Sequence, residues 1–557
     1  NGQRLQLGQT YSMTAQAGAG CSFINWTGSL TDTNATLTFV METNLTFTAN
    51  FTDPIRPTIV ITSPSGKKFN ASNAVFTATG TASDNGQLAA VWYQLNGGGW
   101  IQATNTANWT AGLNLSQSAN TLQAYAVDTF NNVSTTNSVS FNYISSSQIT
   151  IFGTGQGTLN PNYNGALLQN GKTYTMTAKP AFNYLFVNWT DADGNPLTTS
   201  TKLSFTVQSN MTVQVNFLPN PFVTMVGPFA GLFYDTNNIS LTNSGSFNLT
   251  LTGVGKFSAK GQFSSGTKLS FSGTFEPDGT YSNTVTPKGS SPLTVQLQLN
   301  PVNAGQISGS IGGPGWTSPL FAVRALFSAA NPAPERTNKY TLVIPGGNDS
   351  TVQPAGNGYA TVSVNISGDV TLSGVLGDGS KAAQKTFINK LGVWPLFVAP
   401  YKKSGGAIFG WMTFTNLAHS DFNGLLYWLA APNASPGYPA GFNFNEGIDA
   451  VGSIYSFTNG VPLLNVPTGG ISVLQLGNPV QSSTNHFTLG TDNKVTSADG
   501  LTMTVTTSSG LFKGTAPSPV DGATVPINGV LLQKQNAAYG SFLNSGQSGA
   551  VSVGPGQ

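Results

Sequence analysis

Two histidines, one cysteine and twenty carboxylates are what this 557-residue chain offers to acid–base and nucleophilic chemistry. Catalysis near neutral pH most often recruits those groups, singly or as close pairs. His419 and His486 stand 67 residues apart in loop-like surroundings. The triplet His419-Ser420-Asp421 suggests a hydrolase, but a triad is defined by geometry, and the sequence has no Gly-x-Ser-x-Gly turn to present such a serine. A surface turn explains it with fewer assumptions. Glu276 with Asp278, and Glu446 with Asp449, could in principle flank a glycosidic bond. Glu276-Pro277-Asp278-Gly279 is itself a turn signature, however. No His-Glu-x-x-His, phosphate-binding loop or dinucleotide fingerprint occurs. The sequence therefore assigns no catalytic residues, no cofactor and no metal ligands, and the chain is expected not to be an enzyme.

Two weaker patterns invite a binding role. Trp394, Tyr401, Trp411, Tyr427, Trp428 and Tyr438, followed by Phe444, crowd one stretch of the chain. Exposed flat rings with polar neighbours bind sugar faces, so these are the candidate glycan-binding residues. The competing reading is core, because Trp411 and Trp428 alternate with other apolar residues. Asp191-Ala-Asp193-Gly194-Asn195 has the look of a clipped calcium loop but lacks the later Glu ligand, which favours a Gly-Asn hairpin turn. Asp84 and Asp128 could meet in a calcium site at a module junction, or simply cap two turns. Cys21, alone, excludes an intrachain disulfide and a multi-cysteine metal site. Beside Gly20 and Phe23 it is expected to be a small buried residue.

The elements that must position these groups are strands. Glycines 245, 255, 261, 266 and 279 return at 358, 368, 374, 379 and 392, each at an offset of 113. Phe247, Leu249 and Leu251 alternate between them as one buried strand face does. A glycine-punctuated antiparallel meander has been duplicated. Gly305 to Ile311 is echoed by Gly406 to Met412, and a weaker copy runs over 500–543. The set suggests a large barrel or stacked sheets over 219–557, with repeats at 245–311 and 358–412. The Gly/Ser-rich tail from Gly546 is expected to fray or to add to a neighbour.

Residues 1–53 and 147–218 are two copies of one module. Thr10-Tyr11-Ser12-Met13-Thr14-Ala15 matches Thr173-Tyr174-Thr175-Met176-Thr177-Ala178, and Phe23-Ile24-Asn25-Trp26-Thr27 matches Phe186-Val187-Asn188-Trp189-Thr190. The second copy opens with a strand-like segment, Gln148 to Gly157, that the first copy lacks. An open edge of that kind is a liability, so a longer native chain or a neighbouring molecule is expected to fill it. The module resembles the divergent B-repeat of internalin-type bacterial surface proteins, which implies a β-rich spacer or adhesion unit without catalytic residues. Residues 54–146, with short alternating runs, Asp84-Asn85, Val91-Trp92-Tyr93 and Ala126-Val127-Asp128, resemble bacterial Ig-like modules and imply a sandwich. The stretch from 219 to 557, around Trp394-Pro395-Leu396 and Gly529 to Gln533, resembles C-terminal β-domains of large secreted bacterial proteins.

Composition agrees with that setting. Charged residues are 8% against roughly 25% in ordinary soluble domains, while 34 Phe, 16 Tyr and 9 Trp supply several cores. A net charge of +2 without basic blocks excludes nucleic acid as partner, and no apolar run is long enough for a membrane-spanning helix. Sequons at Asn25, Asn44, Asn108, Asn188, Asn210 and Asn248 are compatible with, but do not establish, glycosylation. The expectation is an all-β, multi-module extracellular or cell-surface protein, structural or adhesive, whose partners are copies of itself or neighbouring surface proteins. A carbohydrate-binding surface protein, with extracellular glycans as partner, is the alternative, and a polysaccharide-acting enzyme the third reading.

Overall fold

The computed structural model describes residues 3–66, 69–300, 305–401 and 404–556. It is all β. The helical elements among the described residues are three single 3-10 turns, Val223–Met225, Pro334–Arg336 and Gln533–Gln535. No helix is long and apolar enough to cross a membrane. The chain divides between Pro219 and Asn220 into two compact units.

In the first unit, both module copies pair their strands in the same way. Thr10–Thr14 pairs antiparallel with Thr36–Val40, and Ser22–Gly28 with Phe47–Thr52. In the second copy the equivalents are Thr173–Pro180 with Lys202–Thr206, and Tyr184–Thr190 with Thr212–Pro219. Each long pair slips register at one point, between Phe23 and Asn25 and between Phe186 and Asn188. There Asn50 donates to Asn25 Oδ1 at 2.9 Å, and Asn216 to Asn188 Oδ1 at 2.9 Å. The recurring Asn25 and Asn188 are thus side-chain amide bridges between the two strands at a β-bulge, where the ladder is locally broken. The buried indoles Trp26 and Trp189 donate to the carbonyls of Ala35 and Thr201.

The copies differ at their edges. In the second, Thr150–Thr154 lies parallel to Thr212–Pro219, and Gly157–Asn160 lies antiparallel to Thr173–Pro180. Among the described residues, the first copy's two sheets have two strands each. Between the copies, a three-stranded and a five-stranded sheet form an Ig-like sandwich. Its centre is Trp109, with Val91, Leu122 and Phe141. Trp109 lies on Gly80, where an added Cβ would come within 2.2 Å of the indole.

The second unit is built from three nearly closed, barrel-like sheets of eight strands, following each other along the chain from Gly227, Asn338 and Gly470. In each, the first strand pairs with both the second and the eighth, which brings the meander round on itself. The offset of 113 superposes strands two to five of the first barrel on those of the second: Gly245–Leu251 on Gly358–Val364, Lys256–Phe263 on Asp369–Val375, Lys268–Thr274 on Lys381–Phe387 and Thr280–Val285 on Val393–Val398. Three of the repeating glycines close turns with positive φ, at 255, 266 and 279 and again at 368, 379 and 392, a region costly to other residues.

Three expectations need correction here. Gly305 to Ile311 lies on the first barrel's seventh strand, Gln306–Gly313, whereas Gly406 to Met412 lies on the second barrel's sixth, Gly406–Leu417. Their likeness reflects a shared small–apolar alternation between non-equivalent strands. The third barrel begins at Gly470, well before residue 500, and its pairing breaks after its third strand, Val495–Thr496, instead of its fourth. The tail does not fray: Gln547–Pro555 is the closing strand, held between Gly470–Leu476 and Ala537–Asn544.

Candidate functional site

The densest set of convergent polar side chains in the first unit lies where three strands end together. Asp53 follows Phe47–Thr52, Asp84 follows Val75–Ser83, and Asp128 closes Ser118–Asp128. One carboxylate oxygen of each lies within 4.8 Å of the others. Asp53 and Asp128 are buried, 3% and 1% exposed, and Asp84 is half-buried.

Local turn chemistry aims each group. Asp53 Oδ1 accepts from the Ile55 N–H at 2.9 Å, Asp84 Oδ2 from the Gly86 N–H at 2.9 Å, and Asp128 Oδ1 from the Phe130 and Asn132 N–H groups, both at 2.8 Å. These are turn caps, and they converge as well. Asn85 bridges to the first module, donating from Nδ2 to Asp53 Oδ2 at 2.7 Å and to the Ala19 carbonyl at 3.0 Å. Asn132 donates to Asp128 Oδ2 and to the Asp53 carbonyl. Gly20, at φ +79, leaves room for Asn85, whose Nδ2 would lie 2.5 Å from a Cβ there. Asp84 Oδ1 and Asn85 Oδ1 are shielded from solvent and have no hydrogen-bond partner.

An all-oxygen donor set of this kind suits a hard divalent cation such as calcium and no redox or nucleophilic chemistry. The sequence pointed to Asp84 and Asp128 but missed Asp53. Its signal was an Asp directly before Pro54, at a module junction. Cys21 is half-buried instead of buried. Desolvation, then the Asp53 carboxylate beside it, pushes its thiol pKa up, which suppresses the thiolate that reactivity needs. Asp191-Ala-Asp193-Gly194-Asn195 is a turn, with Asp191 accepting from Asp193, from the Asn195 backbone and from the Asn195 side chain.

The six candidate glycan-binding aromatics do not form an exposed platform. Trp394 and Trp428 are 0% and 1% exposed within the second barrel's interior, where Trp428 stacks on Phe444 at 5.4 Å. Tyr427 and Trp411 face outward into a cluster with Leu232, Ile239 and Phe409 between the first and second barrels. Tyr401 donates to Asp378 Oδ2 at 2.7 Å and accepts from Trp428 Nε1 at 3.1 Å. Burial, with the Asp378 charge beside it, holds that phenol far above its ordinary pKa. Tyr438 is buried and its hydroxyl accepts from the Ser548 N–H of the third barrel. All six belong to cores and contacts between barrels: Trp394, Trp411, Tyr427 and Trp428 on strands covered on both faces, Tyr401 and Tyr438 in the connections beside them.

The other candidates are dispersed over turns, strand faces and a contact between barrels. His419 occupies the turn before Ser420–Ala430. Asp421, 6% exposed, meets Lys534 of the third barrel at 2.8 Å and accepts from the Ile454 N–H. His486 Nδ1 lies 2.9 Å from Asp499 at the surface. Asp278 caps its own turn through the Thr280 N–H and hydroxyl. Glu446 and Asp449 are exposed on Phe442–Ile454.

Fold and site together define a surface-associated type of multi-module β-domain protein. Residues 1–54 and 147–221 match the divergent InlB B-repeat domain, and residues 57–127 match the bacterial Ig domain. The chain therefore carries two B-repeat domains flanking a bacterial Ig domain, modules typical of bacterial surface proteins and typically non-catalytic. No curated protein matches the sequence. Among solved structures, the fibronectin(III)-like modules of Clostridium thermocellum CbhA align with 25% of this chain and 87% of theirs, at 16% identity and a TM-score of 0.16. Intact Ap-TbpB aligns over 79% and 84% at 11% identity, and transferrin binding protein B of Neisseria meningitidis serogroup B over 58% and 68% at 11%, each with a TM-score of 0.16. At that score none of the three informs fold or role.

Proposed function

We propose that this chain is a non-catalytic structural or adhesive component of a bacterial surface, a stalk or a subunit of an extracellular fibre. The observation that carries the reading is the employment of its reactive side chains. Asp421, Tyr401, Asp378 and Tyr438 bind strands or barrels together, and the large aromatics fill cores. Tandem spacer modules of the B-repeat and Ig types support it from the other direction. The glycan-binding alternative based on residues 394–438 has no observation in its favour.

Negative-stain microscopy of the native extracellular material, with gold-labelled antibody to this chain, tests the proposal. Labelled fibres or labelled surface projections support it. Label confined to dispersed particles in the medium overturns it.

A further inference from the structure

The Ig domain carries three large aromatics that its core does not use. Its five-stranded sheet buries Val91, Tyr93, Leu122 and Ala124 on the inner face. Alternation turns Trp92, Gln94, Gln123 and Tyr125 to the outer face. There Trp92 lies directly across from Tyr125 on one side and from Gln102 on the other, and Gln94 lies across from Gln123. Trp100, reached through the glycines at 97–99, is 37% exposed and meets the Tyr125 ring edge to face at 4.6 Å. Trp92 and Tyr125 are half-buried, and none of the three belongs to the sandwich core. Hydroxyls follow along the same face, Ser138 across from Gln123 and Ser140 across from Thr121.

Two features of this face define what it can take. It carries no charge: from Phe69 to Tyr143 the charged residues are Asp84 and Asp128, and both belong to the carboxylate cluster at the strand ends. Its rings are also interleaved with amides. Gln94 Nε2 donates to Gln123 Oε1 at 2.6 Å, and each amide has further donor and acceptor positions to offer. An aliphatic protein surface laid over them would strand those groups, which is costly. A sugar ring answers both demands, because its C–H face lies on an aromatic ring while its hydroxyls donate to and accept from amides. We propose that this outer face binds a neutral glycan chain. Trp92, Trp100 and Tyr125 are the stacking surfaces, and Gln94 and Gln123 are the hydrogen-bonding partners. Trp100 and Tyr125 meet as two walls of a corner, so that a sugar ring seated on one is edged by the other. This site goes beyond the structural reading above and does not depend on it.

The test titrates the full chain by calorimetry with cellohexaose, N-acetylchitohexaose and maltohexaose as neutral probes and hexagalacturonate as the charged control. The expected result is saturable binding of at least one neutral probe, about tenfold or more tighter than the control. Trp100→Ala and Gln123→Ala should each weaken that binding by about tenfold or more. Both side chains lie outside the core, so the melting midpoint of the first unit should move by no more than about 2 °C. Binding of none of the neutral probes, preference for hexagalacturonate, or affinity untouched by both substitutions would overturn the proposal. Self-association that Trp100→Ala abolishes, with no sugar bound, would overturn it too and give the face to a second copy of the chain.

Discussion

Asp53, Asp84 and Asp128 bring three carboxylates within 4.8 Å at the junction of the first module with the sandwich. Two unit charges at that distance repel by about 3 kcal/mol at an effective dielectric near 20. Amide donors from Asn85 and Asn132 offset the repulsion at Asp53 and Asp128, but Asp84 Oδ1 has no donor. Asp84→Asn keeps an oxygen for the Gly86 N–H and puts a donor where the bare oxygen lies. In chelator-treated buffer it should raise the first unit's melting midpoint by about 2–4 °C, the shift expected for roughly 1 kcal/mol in a unit this size. A lower midpoint in calorimetry would show that the negative charge itself is needed. A second residue-scale expectation concerns pH. Asp191, Asp278 and Asp349 are held below the ordinary carboxylate pKa chiefly by side-chain hydrogen bonds from Asn195, Thr280 and Thr351. Asp499 and Asp521 are lowered chiefly by the backbone N–H groups of His486 and Ala523. A lowered pKa stabilises the fold above the unfolded value near 4 and ceases to do so as pH falls through the folded value. Half-buried Tyr234 and buried Tyr340 and Tyr438 are pushed up to about 12, so their contribution is complete below about 10 and lost as pH rises from there to about 12. Melting midpoints should be flat between about pH 5 and 8 and fall on both sides, Cys21 adding to the alkaline loss; a steady slope across that window would refute the assignment.

At the scale of elements, glycine does two separable jobs in the duplicated meander. Gly255 and Gly368 turn the chain at φ +77. Gly374 sits within a strand, where a Cβ would lie 2.1 Å from the Tyr359 carbonyl oxygen and 2.5 Å from Ala360 Cβ. Backbone cannot give way as a side-chain tip can, so Gly374→Ala should cost about 2–4 kcal/mol. Gly112 is the control: it lies in the sandwich strand Asn108–Asn114 with nothing within 4 Å of its added Cβ. Gly112→Ala should be neutral or stabilising by up to about 1 kcal/mol, since alanine restricts the unfolded chain. Denaturant midpoints of the two variants measure the contrast. Glycine spacing was readable in the sequence because turns and close approaches leave a fixed interval behind. The duplicated module was readable for a similar reason, since both copies keep the same order and spacing. The carboxylate cluster was only partly readable, because Asp53 meets Asp84 and Asp128 through folding over 31 and 75 residues of chain. The aromatics from Trp394 to Tyr438 were ambiguous on different grounds. Strands buried on both faces lose the alternation that tells inside from outside, and Gly406–Leu417 carries Ile408 and Met412 inward with Phe409 and Trp411 outward.

Across the whole second unit, those outward residues explain how barrels join and where joining stops. The second barrel's sixth strand presents Ala407, Phe409 and Trp411 to the first barrel's Leu232, Ile239 and Phe321. The third barrel's sixth strand, Thr524–Leu532, presents Val530 and Leu532 to the second barrel's Val343. Both contacts are heterologous, with the sixth-strand face of one barrel against the first-strand side of the barrel before it. Contacts of that kind can in principle continue without closing. On the first barrel's sixth strand, Leu293–Leu299, pairing with the fifth strand puts Thr294 and Gln296 where the second barrel has Phe409 and Trp411. Thr294 and Gln296 are exposed and Gln298 half-buried, while Val295, Leu297 and Leu299 fill the interior. A polar outer face on a terminal repeat is what keeps a repeat array soluble. Thr294→Phe with Gln296→Leu should turn the cap into a copy of a docking face without disturbing the interior. Sedimentation velocity over a range of concentrations should then show stronger self-association than the unaltered chain. If the double variant sediments like the parent at every concentration, the polar face is not what prevents a further barrel from docking there.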